Sequence, residues 1–575
     1  MDHPVAQRIW RNRKTIASVG FDLLCLWLIL CIRWDGQARI DPGLGETAHL
    51  PSWWWDWGNL QDWLLIGPDA GNWARNAEAW ASGGVLDPHR LPTYTMLNAW
   101  FYGFFGDVVV GGHMLNHLLS ALLGVVAYGI GRWTSGRAVG LGAGLLTAWS
   151  PELFNNQLSY GVDPALQFSV VFLALCTWLA MRRGTWPWIV LMGLSLGLAM
   201  GTHYLVLLFV PIALGLLLLM EKPWTTRLRF IAAAVLIAWL TFEWLTHRYD
   251  DLSLQMVVSV YSQGVAGSDW GTGPVPPTGA TEASGHILHN LPSAPGLAVQ
   301  RGLRAMKVAG MNWTLLVLIF WIGVIGWGLG KKRDASRWDW RSSLFLLGFL
   351  SPLVVLEATR APDRYALFAR PLIFICVLRG FVSLFYIAEE LAARHPKWIA
   401  PKWRPSARGT LSALAVVISL QIYHQPFASR WWNPSELPSG EGLSDRSVSA
   451  IIKKNFPRPG GIVTSSQALS YYTERNRCPG SQCPEGGKLA VAQCFERYLQ
   501  ECPGAGSLPY IAVSEERKEG FGDRQNSAVQ LVIEQQFEAV GSHSYRDGGS
   551  TITTTVYSLG RVKLRQMAEA LRSTP

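Results

Sequence analysis

Asp69 stands in Gly67-Pro68-Asp69-Ala70, ahead of a run from Asn72 to Ala81 whose residue pattern favours a short helix stopped by Gly83-Gly84. An ionised carboxylate there could take the proton of a hydroxyl acceptor as a general base. Aspartate is also a favoured N-cap, and both roles stay open on position alone. Further on, Arg90-Leu91-Pro92-Thr93-Tyr94 brings a guanidinium, whose planar fork suits a pair of phosphate oxygens. A surface arginine that snorkels would look the same. Arg360 and Arg364, in Thr359-Arg360-Ala361-Pro362-Asp363-Arg364-Tyr365, add two more cations at a short connection, although Arg364 could simply pair with Asp363. Asp163 opens an apolar run in Tyr160-Gly161-Val162-Asp163-Pro164, and Glu152 follows Ser150-Pro151. An acidic group at membrane depth is costly and therefore a functional candidate, but Asp before Pro is also an ordinary helix start. His203 lies between two short apolar runs, where a ligand contact competes with a satisfied buried histidine.

The elements that must position these groups are set by composition. Of 575 residues, 49% are hydrophobic and 16% charged, and 29 are tryptophans, which suits membrane-interface belts. Runs near the ~20 apolar residues needed to cross a hydrocarbon core occur at Thr15–Trp34, Val108–Gly131, Ala138–Trp149, Asp163–Met181, Pro187–Gly201, His203–Met220, Phe230–His247, Met311–Gly330, Ser342–Thr359, Tyr365–Ile387 and Thr410–His424. About 11 spans are predicted, the pieces at 138–149 and 187–220 being interrupted by Gly and Pro. Basic residues alternate in density between successive connections. Arg8, Arg11, Arg13 and Lys14, then Arg132 and Arg137, then Lys331, Lys332 and Arg333 mark the cytoplasmic side, with the N-terminus among them. The net charge of +10 is therefore mostly topology and argues against nucleic-acid binding. The first apolar run lacks a small-residue cleavage site and reads as a retained span.

Residues 1–434 form the membrane body, with outside segments at about 35–107 and 248–310. The second of these holds Gly271-Thr272-Gly273-Pro274 and resembles a lid more than a packed element. Residues 435–575 read as an extracytoplasmic α/β domain entered through Trp431-Trp432-Asn433-Pro434. Strand-like runs fall at 461–465, 510–514, 537–543 and 551–559, the last two joined by Asp547-Gly548-Gly549, a hairpin signal. Helix-like runs fall at 447–455, 468–475, 491–501 and 526–536. Cys478, Cys483, Cys494 and Cys502 lack the paired spacing of zinc knuckles and have no histidine among them, so two disulfides in an oxidising compartment are expected. Their pairing stays open. The run Gly140-Leu141-Gly142-Ala143-Gly144 sits inside a span, where close helix packing explains it better than nucleotide binding.

The order of these pieces resembles the GT-C superfamily of polyprenyl-phosphate-sugar glycosyltransferases, particularly the protein O-mannosyltransferase and lipid A aminoarabinose transferase group. The matching residues are Asp69, the run 72–81, Gly83-Gly84, Arg90 to Tyr94, Phe105-Gly106, Gly131-Arg132, Gly136-Arg137, Ser150-Pro151, Tyr160 to Pro164, Gly201-Thr202-His203-Tyr204 and Arg364-Tyr365. Two departures stand out. Ala70 replaces an acidic neighbour of Asp69, and His203 replaces a lysine.

The resemblance implies a polytopic α-helical membrane protein with a C-terminal soluble α/β domain. It implies sugar transfer from a polyprenyl-phosphate donor to a protein, lipid or glycan acceptor on the non-cytoplasmic face, in a bacterial inner membrane with a periplasmic C-terminal domain. Asp69 would be the base, and Arg90, Arg360 and Arg364 would bind the donor phosphate. Tyr94, Glu152, Asp163 and His203 would line the substrate pocket. No tightly bound cofactor is implied; a divalent metal is compatible with the chemistry, but no residue pattern indicates one. A transporter or flippase of lipid-linked sugar would instead need paired repeats and broken midplane helices, neither of which is found. A non-catalytic scaffold is the third reading.

Overall fold

The computed structural model describes residues 19–30, 70–87, 90–150, 153, 160–249, 293–307, 313–326, 340–358, 363–394, 448–456, 461–463, 476–477, 493, 496, 510–518, 535–547, 550–559 and 561–573. Among them the helices in chain order are α1 (Val19–Leu30), α2 (Ala70–Ser82), α3 (Pro92–Phe105), α4 (Val108–Ser135), α5 (Arg137–Trp149), α6 (Asp163–Arg183) and α7 (Trp186–Met200). A 3-10 turn at Tyr204–Leu208 precedes α8 (Val210–Leu217) and α9 (Trp224–Thr246). Then come α10 (Ala294–Lys307), α11 (Trp313–Ile325), α12 (Trp340–Leu350), α13 (Pro352–Ala358), a 3-10 turn at Asp363–Ala366, and α14 (Ala369–Arg394). By length and composition four of the described helical stretches can cross a membrane: Val108–Ser135, Asp163–Arg183, Trp224–Thr246 and Trp340–Ala358.

Local chemistry sets these boundaries. Asp107 caps α4, its carboxylate accepting the amides of Val109 and Val110 at 2.8 and 3.0 Å. Immediately before it, α3 opens on Pro92 and closes on Gly106, which takes the left-handed conformation and returns its amide to Tyr102 O. Asp163-Pro164 start α6, and Arg182 and Arg183 occupy its last turn, where the helix dipole favours cations.

Several predicted elements take a different form. The span expected at His203–Met220 is a 3-10 turn followed by an eight-residue helix, Val210–Leu217. The span expected at Ser342–Thr359 falls within Trp340–Ala358, long and apolar enough to cross a membrane, with an interruption at Ser351-Pro352, where proline has no amide to continue the ladder. Within the first outside segment, 92–105 is a largely buried helix rather than loop. Part of the second outside segment, 294–307, is helical too, with Ala294, Ala298 and Leu303 buried. The run 271–277, the span predicted at Thr410–His424 and the entry at 431–434 lie outside the described residues.

The centre of the bundle is built by α3, α4, α5, α6 and α14. Every residue from Leu372 to Leu378 is buried. An aromatic group ties the periphery in: Trp178 of α6 lies 5.0 Å from Phe345 of α12, and Phe209 sits edge-on to Phe368 at 5.0 Å. The Gly-rich run packs as its composition suggests, against three different helices. A Cβ on Gly140 would come 2.7 Å from Tyr128 O in α4, one on Gly142 2.8 Å from Leu378 in α14, and one on Gly144 2.4 Å from Ile29 in α1.

In the C-terminal region the strands are β1 (Gly461–Val463), β2 (Asn476–Arg477), β3 (Tyr510–Lys518), β4 (Ala539–Asp547) and β5 (Ser550–Leu559), in the sheet order β2-β1-β3-β5-β4. β1 runs parallel to β2 and β3, while β3–β5 and β5–β4 are antiparallel. The hairpin turns where its residues predict, with Asp547 paired to Ser550 across Gly548-Gly549. Helix 448–455 lays Val448 and Ile452 on Val556 of β5, giving a small apolar core. A terminal helix, Arg561–Ser573, was not foreseen, and neither was β2. Most of the helix-like runs 468–475, 491–501 and 526–536 lie outside the described residues, as do all four C-terminal cysteines.

Candidate active site

The site forms where α2, α3, α4, the 160–163 segment and the start of the 3-10 turn at 204 meet. α2 begins at Ala70, the residue after Asp69; Asp69 itself lies outside the described residues, as do Glu152 and Arg360. Arg364 falls in the 3-10 turn Asp363–Ala366.

Arg90 is held from two sides. Its guanidinium carbon lies 5.3 Å from the centre of the Trp73 indole, and its Nε is 3.8 Å from Asp87, the residue three before it. Trp73 in turn packs edge-on against Tyr94 at 5.1 Å. Tyr94 is fully buried, and its hydroxyl meets no hydrogen-bond partner of good geometry among the described residues. It faces Asn116, the backbone of Gly161 and the carboxylate of Asp163. Burial, with the nearby Asp163 charge adding to it, pushes the Tyr94 hydroxyl well above the usual phenol range. Thus two stretches far apart in sequence, Arg90 to Tyr94 and Tyr160 to Asp163, converge on one place.

Beneath them is a polar layer. Asn98 of α3 donates to the Tyr160 hydroxyl at 2.6 Å, and that hydroxyl donates to Val108 O at 3.1 Å. His113 lies edge-on to the Tyr160 ring at 5.5 Å. Gly112 is what admits that ring: a Cβ there would lie 2.3 Å from it.

The His203 segment docks on the same α3. Thr93 donates its amide to Gly201 O and its hydroxyl to Leu198 O, both at 2.8 Å. The His203 Nδ1 accepts the Leu205 amide at 3.2 Å, which caps the 3-10 turn. Its ring lies 4.2 Å from Tyr204 and 5.2 Å from Tyr365, the neighbour of Arg364. His203 is therefore a buried cap that joins the segment to the 3-10 turn ahead of α14.

Three site residues carry no motif and were missed. Asn76, on the turn of α2 after Trp73, donates to Thr95 Oγ1 at 3.1 Å and to the Tyr249 hydroxyl at 3.3 Å, and its Oδ1 accepts the Asp87 amide at 2.7 Å. Tyr249, just past α9, donates to Arg90 O at 2.9 Å. Arg248 beside it donates to Trp80 O at 2.5 Å and covers the Trp80 ring at 4.8 Å. Burial pushes the Tyr249 hydroxyl up to about 12. Sequence offers no signal for contacts spanning 173 residues. Among the described residues no three His, Cys, Asp or Glu side chains gather as a metal site would require.

Residues 89–246 match the family described as dolichyl-phosphate-mannose-protein mannosyltransferase. The apo oligosaccharyltransferase of Archaeoglobus fulgidus superposes with a TM-score of 0.56 at 13% identity, covering 86% of this chain and 69% of that one. The Cupriavidus metallidurans ArnT bound to undecaprenyl phosphate superposes with a TM-score of 0.54 at 14% identity, over 93% and 98%. At these identities the likeness is one of fold, and the chain shares the architecture of both proteins. The A. fulgidus AglB complex with an inhibitory peptide and a dolichol-phosphate shares this architecture, with a TM-score of 0.54 at 11% identity over 92% of this chain and 74% of that one. No curated protein matches the chain. The four long apolar helices among the described residues suit a membrane protein.

Proposed function

We propose that the chain is a membrane glycosyltransferase that moves a sugar from a polyprenyl-phosphate donor to a protein, lipid or glycan acceptor on the non-cytoplasmic face of a bacterial inner membrane. The observation that carries this reading is the approach of Tyr94 to Asp163 and Gly161, with Arg90 stacked on Trp73 beside them. It gathers a phosphate-suited cation and a carboxylate at one end of a GT-C bundle, within the segment that matches the mannosyltransferase family. Undecaprenyl phosphate in the ArnT structure and dolichol-phosphate in the AglB structure suggest the donor class.

In this reading the acceptor hydroxyl attacks the anomeric carbon, and Asp69 takes its proton. The bond from that carbon to the phosphate oxygen breaks, and polyprenyl phosphate leaves. Arg90, Arg360 and Arg364 hold the phosphate and stabilise the charge that grows on it. Tyr94, Glu152, Asp163 and His203 shape the pocket. Residues 1–434 form the membrane body with a cytoplasmic N-terminus. Residues 435–575 form a periplasmic domain in which Cys478, Cys483, Cys494 and Cys502 form two disulfides.

The test is Asp69→Asn in purified full-length protein supplied with a labelled polyprenyl-phosphate sugar and a membrane extract as acceptor source. Transfer should vanish while expression and thermal stability hold. Near-normal transfer by the variant would remove Asp69 from the mechanism.

A further inference from the structure

Arg90 is fixed through its main chain as well as its guanidinium, and the groups that fix the main chain flank the matched segment 89–246 on either side. Asn76 gives both of its N–H bonds away, one to Thr95 and one to Tyr249, and its oxygen takes the Asp87 amide. The Tyr249 hydroxyl accepts from Asn76 and passes its own proton to Arg90 O. The result is a directed chain, Asn76 amide to Tyr249 hydroxyl to Arg90 carbonyl. Its first link is buried and its second part-buried, so a lost link leaves a group with little access to water. The ring of Tyr249 is seated independently, 6.1 Å from Trp80, and Arg248 bonds the Trp80 carbonyl beside it. Trp73, which carries the Arg90 guanidinium, lies one turn before Asn76 on the same α2.

We propose that Asn76 and Tyr249 are positioning residues for a polyprenyl-phosphate donor, holding the Arg90 backbone so that its guanidinium presents to the phosphate. Neither touches the donor. The proposal rests on the glycosyltransferase reading, and it adds a contribution from the exit of α9 to a site otherwise built by α2, α3, α4 and the 160–163 segment.

Tyr249→Phe tests it most directly, because the ring stays on Trp80 and only the hydroxyl is lost. Full-length protein in nanodiscs is titrated with undecaprenyl phosphate, and amide exchange is followed over residues 86–95 and over α6. The variant should bind the probe about fivefold more weakly, the worth of one net hydrogen bond. Exchange at 86–95 should quicken while α6 keeps its wild-type rate. Asn76→Ser, which removes the donors to Tyr249 and Thr95 and the acceptor of the Asp87 amide, should change both readouts in the same direction by at least as much.

Faster exchange with unchanged binding would reduce the pair to a structural tie and overturn the positioning role. Unchanged exchange at 86–95 would overturn the chain of bonds itself. Wild-type protein that does not bind the probe would refute the proposed function, and the positioning role would fall with it.

Discussion

The carboxylate of Asp22 in α1 holds the Arg132 guanidinium of α4 at both ends, Oδ1 taking Nε at 2.9 Å and Oδ2 taking Nη2 at 2.5 Å. The same Oδ1 accepts the Tyr128 hydroxyl at 2.5 Å and Nε of Arg137 at 3.1 Å. One carboxylate thus pins α1 to the turn between α4 and α5.

Removing that charge should leave two arginines facing each other across the turn. Asp22→Asn is expected to cost about 2 kcal/mol, in the range for hydrogen bonds to charged groups. Arg132→Gln should cost a similar amount, and the double variant less than the sum, because each single change already breaks the pair. Thermal unfolding in detergent, followed by tryptophan fluorescence, measures all three. Additive losses would mean the pair does not act as a unit.

Gly112→Ala asks whether the floor of the site depends on the close seat of Tyr160. A methyl at that Cβ would lie 2.3 Å from the ring, so either the ring or α4 must shift. Overpacking of this kind costs about 1–3 kcal/mol. It should also lengthen the bond between Asn98 and the Tyr160 hydroxyl. A crystal or cryo-EM structure of the variant with the ring unmoved and stability unchanged would refute the account.

The long helices α4, α6 and α9 were legible because their signal is local: a run of apolar residues, and in α6 a proline at the start and a left-handed glycine, Gly184, at the end. The hairpin at Asp547 was legible for the same reason. Pro352 interrupts the helix after Ser351, and the stretch Trp340–Ala358 keeps the length and hydropathy of a span. Helix α3 was hidden because its apolar run is short and lies between motifs that invite a loop reading. Within the site, residue types pointed to Arg90, Tyr94, Asp163 and His203, and the fold sets Tyr94 against Asp163. His203 turned out to cap a 3-10 turn and to stack near Tyr365. Asn76 and Tyr249 could not be read, since a side chain's value as a long-range hydrogen-bond partner leaves no local pattern.

Arg90→Lys separates the charge of Arg90 from its shape. Lysine keeps the cation but loses the planar fork that lies over Trp73. The apparent KM for a polyprenyl-phosphate sugar should rise about tenfold, the effect of losing one of two charge-assisted bonds. The acceptor KM should stay within about twofold. Arg364→Ala should show the same split. A rise confined to the acceptor KM would take both residues out of the donor-phosphate site.

Tyr249 gives a pH signature that does not depend on activity. Its hydroxyl is raised from an ordinary value of 10.0 to about 12, mainly by burial. Between those values the unfolded chain has released the proton and the folded chain has not, so the folded state binds more protons and stability falls as pH rises. The contribution is complete below pH 10 and is lost at about 1.4 kcal/mol per unit on the way to 12. Tyr249→Phe carries no such proton. At pH 8 the variant should be less stable than wild type by about 1 kcal/mol, for the lost hydrogen bonds. Above pH 10 its stability should fall less steeply, so that the two curves converge and cross about 0.7 pH unit higher. Tyr94, also raised by burial, is present in both proteins and cancels in the difference. Chemical denaturation of the detergent-solubilised pair at half-unit steps from pH 8 to 11.5 reads the convergence. Parallel curves would show that the Tyr249 hydroxyl is not buried in the folded protein.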